Sequence, residues 1–292
     1  MKKWTCLAAA VALLYSMVLA ATPAPAEQKP HANTGAYAGA PADLDIYILI
    51  GQSNMAGRAK IEEADKLPIE RFYLADANGQ FVPAVHPLNA FSTVRKGLGM
   101  QKLNLGDAFA RTMLAKMPKA KSVGLLVQAR GGSNIESWAK GSRYYKELLK
   151  RVAMVKGRGT IRGILWHQGE SNNGQDDYLP KLVKLVADLR ADLKNAKLPF
   201  VVGQIRQAED TAVINNQLAA LPKTVKHTAC AESKGLKTQD RWHFESASLR
   251  ELGRRYARAM ASVQASGGGG DASLAADEHV DGGCPNFLPM QE

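Results

Sequence analysis

The chain has 292 residues, 46% hydrophobic and 22% charged, enough to build a sizeable core as one large α/β domain or two small ones. Its net charge of +11 raises nucleic acid as a partner. However, the Lys and Arg residues are spread along helix-forming stretches such as 181–197 and no nucleic-acid motif accompanies them, so that class is set aside. His86, His167, His227 and His279 are scattered and no His-Cys spacing suits a metal, which argues against a metal hydrolase and leaves no cofactor to expect.

Residues 1–26 begin with Lys2 and Lys3, run through an apolar stretch from Leu7 to Ala21 and reach Ala24-Pro25-Ala26, the layout of a cleavable secretory leader. The stretch is short for a bilayer span of roughly 20 residues. The expectation is a secreted or periplasmic mature chain with no membrane span. Cys6 lies inside the leader, so Cys230 and Cys284 remain after cleavage. A disulfide between them stays open, because sequence cannot report their distance. Residues 27–42, rich in Ala, Pro and Gly, read as a linker.

The folded domain is expected over residues 43–265. Residues 44–50 (LDIYILI) form a nearly continuous apolar run, as in a strand buried on both faces of a parallel sheet. Comparable runs follow at 122–128, 161–166, 199–205 and, less distinctly, 224–229. Between them lie stripes of helical period: Leu105, Phe109, Thr112, Met113 and Met117, stopped by Pro118, and then Leu179, Leu182, Val183, Val186, Leu189 and Leu193. A last helix carries Leu249, Leu252, Tyr256, Met260 and Val263 on one face, with Ser248 and Glu251 spaced as a capping box. Strands alternating with helices predict a three-layer α/β/α sandwich around a central parallel sheet, with functional groups at the carboxyl ends of its strands. Residues 266–292, glycine-rich and then acidic, read as a flexible tail.

Unusual residues fall where that rule puts them. The first strand runs into Gly51-Gln52-Ser53-Asn54, a tight turn where a hydroxyl can serve as nucleophile or simply cap a helix. After the second strand come Gly131 and Gly132, which allow backbone N–H groups to approach a ligand closely. After the third come His167, Gln168, Glu170 and Asn172, a crowd of polar groups that is costly to bury without partners. Asp240 stands three residues before His243, ahead of the final helix, where a carboxylate can reach round a turn and fix the imidazole tautomer. There is no G-x-S-x-G elbow, which argues against a standard α/β-hydrolase.

Four blocks, IYILIGQSNMAG at 46–57, GGSNIESW at 131–138, WHQGES at 166–171 and DRWHFESASLRELGRRYA at 240–257, resemble the signatures of the sialate O-acetylesterase-like family. That family includes carbohydrate esterase family 6 and lies within the SGNH hydrolases, whose fold is flavodoxin-like. The resemblance implies a serine esterase removing acetyl groups from carbohydrate, of acetylxylan or sialic-acid type, with Ser53 as nucleophile and His243 as base. Asp240 is the implied partner of His243, with Glu170 as the alternative. The implied oxyanion hole comprises backbone N–H groups of Ser53 and of Gly131 or Gly132, with the side-chain amide of Gln168. Gln52, Asn54 and His167 are candidates for touching substrate. Arg241 departs from the small residue expected beside the family's aspartate. A feruloyl or other short-chain acyl esterase, or an inactive carbohydrate-binding module on the same fold, would carry much the same residues.

Overall fold

The computed structural model describes residues 35–266. At its centre is β1 (Leu44–Gly51), buried along its whole length. The expected leader, Cys284 and its pairing with Cys230, and the tail beyond residue 266 lie outside the described residues. Tyr47 and Leu49 of β1 enter one apolar cluster, and Leu44, Ile46, Ile48 and Ile50 enter another on the opposite face. Alternate residues thus face two different cores, which is why this strand reads as an unbroken apolar run.

Seven strands form one sheet in the order β3-β2-β4-β1-β5-β6-β7, with β2 at Phe72–Ala75, β3 at Phe81–Pro83, β4 at Ser122–Ala129, β5 at Thr160–His167, β6 at Phe200–Gly203 and β7 at Thr228–Ala231. Neighbours pair in parallel except β2 with β3, which are antiparallel. The central parallel sheet read from the sequence is present, and β3 adds an antiparallel strand at its edge. Two longer helices, α2 (Gly106–Lys116) and α6 (Ser246–Ser266), cover the Tyr47 face. The Ile48 face is covered by α3 (Arg143–Val155), α4 (Tyr178–Asp192) and α5 (Ala212–Thr224). This is the three-layer α/β/α arrangement. No helix among the described residues is long and apolar enough to cross a membrane.

Three local expectations change. Residues 224–229 do not form one strand: Thr224 ends α5, and β7 begins at Thr228. The capping box on the last helix is absent in its expected form, because α6 already starts at Ser246 and the Ser248 hydroxyl accepts from the Lys237 N–H at 2.8 Å. Glu251 instead bonds to Arg254, Arg255 and Arg258. The end of the expected linker is docked: the Tyr37 N–H donates to Phe81 O at 2.7 Å, and its ring meets Tyr73 edge-on.

Candidate active site

The parallel register brings the unusual segments together. Gly51 lies beside Ala129 of β4 on one side and His167 of β5 on the other. The residues that follow each strand, Gln52-Ser53, Arg130-Gly131 and Gln168-Gly169-Glu170, thus leave the sheet side by side at its carboxyl edge. Gly51 is a steric requirement: its φ is +144°, and a Cβ there would sit 2.1 Å from the His167 carbonyl oxygen. Ser53 opens the short helix α1 (Ser53–Ala56), and among the described residues nothing accepts from its N–H.

His243 reaches this edge from the loop between β7 and α6. Its Nε2 lies 3.0 Å from Ser53 Oγ and its Nδ1 lies 2.8 Å from Asp240 Oδ2. Asp240 Oδ1 also accepts the N–H groups of Trp242 and His243, so one carboxylate both folds the turn and orients the ring. Burial would raise the Asp240 pKa, but the bonds from the Trp242 N–H and the His243 ring and N–H outweigh it and hold the carboxyl below its usual range. With Nδ1–H donated to Asp240, Nε2 is left as an acceptor facing the Ser53 hydroxyl. That arrangement can take a proton from an attacking serine and return it to a leaving group. Arg241, the departure from the expected small residue, points away: its guanidinium lies 4.9 Å from the centre of the Trp242 ring and 3.5 Å from Asp210.

Glu170 does not touch His243. It is buried, and its Oε1 accepts from Asn54 Nδ2 at 2.6 Å. Its Oε2 finds no partner among the described residues, and burial raises its pKa to about 7 despite the Asn54 bond. Asn54, expected to touch substrate, is fully buried instead. Its Nδ2 also donates to Trp242 O at 3.0 Å, and its Oδ1 accepts from Phe244 N at 3.1 Å, so it grips the backbone on both sides of His243.

Two further expectations are corrected in the same way. Gln168 Nε2 donates among Gln52 Oε1, Ser133 O and Asn172 Oδ1 at 2.7 to 3.2 Å, and its Oε1 accepts from Tyr178 OH. An amide so committed is not on offer to an oxyanion. His167 is fully buried behind the site, with Nδ1 3.1 Å from Tyr256 OH, and desolvation pulls its pKa down to about 3. It is therefore a neutral packing group and cannot touch a sugar. Of the three substrate candidates, Gln52 keeps an open function: its Oε1 is fixed by Gln168 and by the Ser171 N–H, while among the described residues nothing accepts from its amide nitrogen.

Sequence reasoning missed three contributors. Tyr178 and Tyr256 hydroxyls hold Gln168 and the Trp166 carbonyl, and both residues lie on helix faces that carry no sign of a polar task. The third is Arg58. Its Nη1 donates to Gly57 O and Met100 O at 2.7 and 2.8 Å, while Nη2 packs on Gly131. A Cβ on Gly131 would stand 2.3 Å from that Nη2 and 3.7 Å from Ser53 Cβ, so the guanidinium borders Ser53 and a side chain at 131 would have to displace its tip.

The fold is a three-layer α/β/α sandwich with a Ser-His-Asp line at the carboxyl edge of its sheet, and sequence and structural comparison give the class. Residues 43–262 match the family described as carbohydrate esterase, sialic acid-specific acetylesterase, and the chain belongs to it. It is a carboxylic ester hydrolase of the carbohydrate acetylesterase kind. A probable carbohydrate esterase of Arabidopsis thaliana is 29% identical over 239 residues, covering 74% of this chain and 90% of that protein. The solved Arabidopsis structure superposes with a TM-score of 0.66 at 27% identity, over 76% of this chain and 99% of that one. Two more distant folds agree. NanS gives a TM-score of 0.62 at 14% identity over 78% and 99% of the two chains. A carbohydrate acetylesterase from Xanthomonas citri gives 0.58 at 19% identity over 76% and 57%.

Proposed function

We infer that this chain removes acetyl groups from carbohydrate hydroxyls by two-step acyl transfer through Ser53, His243 and Asp240. The reading rests on one observation: the unbroken line from Ser53 Oγ to His243 Nε2 at 3.0 Å and from Nδ1 to Asp240 Oδ2 at 2.8 Å. His243 takes the hydroxyl proton as Ser53 Oγ bonds to the acetyl carbon. The carbonyl oxygen becomes an anion beside the Ser53 N–H and the Gly131-Gly132 backbone, each donor contributing about 3 kcal/mol to the transition state. Collapse breaks the bond to the sugar oxygen, which receives the proton from His243. Water, deprotonated by His243, then attacks the acetyl-serine and releases acetate, restoring the hydroxyl. Gln52, with its amide nitrogen uncommitted, replaces Gln168 as the side-chain donor at this edge.

Export belongs to the same reading, supported by the leader-like pattern of residues 1–26. N-terminal sequencing of the protein recovered outside the cytoplasm tests it, an intact Met1 counting against cleavage. For the chemistry, the purified protein is expected to hydrolyse 4-nitrophenyl acetate and an O-acetylated glycoside and to be labelled by a fluorophosphonate at Ser53. Labelling elsewhere, or an unchanged rate after Ser53→Ala, would refute it.

A further inference from the structure

The three bonds that Asp240 makes, to the N–H groups of Trp242 and His243 and to the His243 ring, all lie within the turn that carries them. They fix the imidazole relative to the turn, but the reach from His243 to Ser53 must be set by anchors outside it. On the side of Ser53, Asn54 bonds to the backbone at Trp242 and Phe244, and Gln239 Nε2 donates to Arg58 O at 3.1 Å. The base of the turn is closed by an antiparallel bridge between Thr238 and Phe244. A further anchor is a side chain to which the acyl-transfer steps give no task. Trp242, the residue before His243, is half-buried and packs against the core cluster of the Ile48 face. The guanidiniums of Arg206 and Arg241 each lie 4.9 Å from the centre of its ring. Both cations converge on Asp210: Arg206 Nη2 bonds to its two carboxylate oxygens at 2.6 and 2.5 Å, and Arg241 Nη2 lies 3.5 Å from Oδ2.

A guanidinium over an aromatic face is drawn to the negative face of the ring, and one carboxylate shared by two guanidiniums offsets their mutual repulsion, so both can approach the same indole. Arg206 and Asp210 stand on the segment after β6, which is tied down independently of the 238–244 turn. Arg206 O accepts from Thr211 Oγ1 and Asn215 Nδ2 at 2.8 and 3.0 Å, and Asp210 O accepts from Asn173 Nδ2 at 2.8 Å. We propose that Trp242, braced by Arg206, Arg241 and Asp210, is a positioning residue that holds His243 Nε2 within reach of Ser53 Oγ. This rests on the Ser53-His243-Asp240 reading above and deepens it. It also gives a task to Arg241, the departure from the small residue expected beside the aspartate: its side chain joins the brace on the indole.

The test measures kcat/KM for 4-nitrophenyl acetate and the rate constant for labelling of Ser53 by excess fluorophosphonate. That rate constant belongs to each folded molecule, whereas a folding defect lowers only the amplitude of labelling. Trp242→Leu is expected to lower kcat/KM and the labelling constant together by about tenfold, because a misplacement of about 1 Å between reacting groups can cost about 10²-fold. Trp242→Phe, which keeps a ring for the guanidiniums, should recover most of that loss. Asp210→Ala should cost about threefold by itself and nothing further when combined with Trp242→Leu, since both remove the same brace. A labelling constant for Trp242→Leu within about twofold of wild type, with any loss confined to amplitude, overturns the proposal. So does a Trp242→Phe variant as slow as Trp242→Leu, or a double variant whose loss is the product of the two single losses. Failure of the wild-type protein to cleave 4-nitrophenyl acetate or to be labelled at Ser53 would instead overturn the esterase reading.

Discussion

Two rows of polar residues meet at the carboxyl edge of the sheet, and they differ in what their atoms have left to offer. In the outer row, Ser53 Oγ bonds to His243 alone, and the His243 and Asp240 side chains are 23% and 51% exposed. In the inner row, Asn54, His167, Gln168 and Asn172 are at most 1% exposed and most of their polar atoms are already bonded to protein. Ser53 and Asn54 are neighbours in one motif block, yet they fall in different rows. What separates the outer residues from the holding ones is the number of uncommitted atoms facing solvent. Buried polar groups must be paired to be tolerated, and pairing removes them from chemistry.

Substitutions in the two rows should therefore separate activity from stability. The largest effect is expected for Ser53→Ala: a loss of about 10⁴-fold or more in kcat with thermal unfolding unchanged, since the hydroxyl makes one bond and no core contact depends on it. Asp240→Asn should cost about 10² to 10³-fold, read from kcat/KM, because the ring loses its orienting charge at a site half open to water. A drop of less than tenfold would move the orienting role elsewhere. In the inner row, Asn54→Ala removes three hydrogen bonds, two of them buried, and strips Glu170 of its donor, so urea unfolding should show a loss of about 3 kcal/mol accompanying any loss of rate. If stability is intact while activity vanishes, the division between rows breaks.

The smallest effect concerns pH. Burial raises the Glu170 pKa from 4.5 to about 7 in the folded chain, so the fold binds more protons than the unfolded state between those values. The stabilisation is complete below the unfolded value and is lost as pH rises through the folded one. Glu170→Gln, which cannot ionise, should flatten that decline in a series of urea midpoints. An identical slope in the variant would show that Glu170 is not its source.

How far these rows were legible depended on the range of the interactions. The alternation of β1 between two cores, the stripes of α2 and α4, and the Asp240-His243 turn are local, and local pattern exposed them. Strands β2 and β3, with four and three residues, are too short to show a period, and their pairing with β4 and with each other is set by partners distant in sequence. Helix α5 hides behind Asn215, Asn216 and Pro222. At the site, the residue types were visible but their commitments were not. Nothing in WHQGES says that Gln168 spends its amide on Gln52, Ser133 and Asn172, or that Glu170 faces Asn54 and not the imidazole. Arg58 was invisible because an arginine after a turn ordinarily reads as solvated surface.

The grip of Asn54 on the backbone of residues 242 and 244 has a consequence for divergence. The spacing of the Ser53 hydroxyl and the His243 imidazole is gauged by a side chain adjacent to Ser53. Segments outside that grip and away from Trp242 can consequently be rewritten while the alignment of hydroxyl and imidazole stays in register.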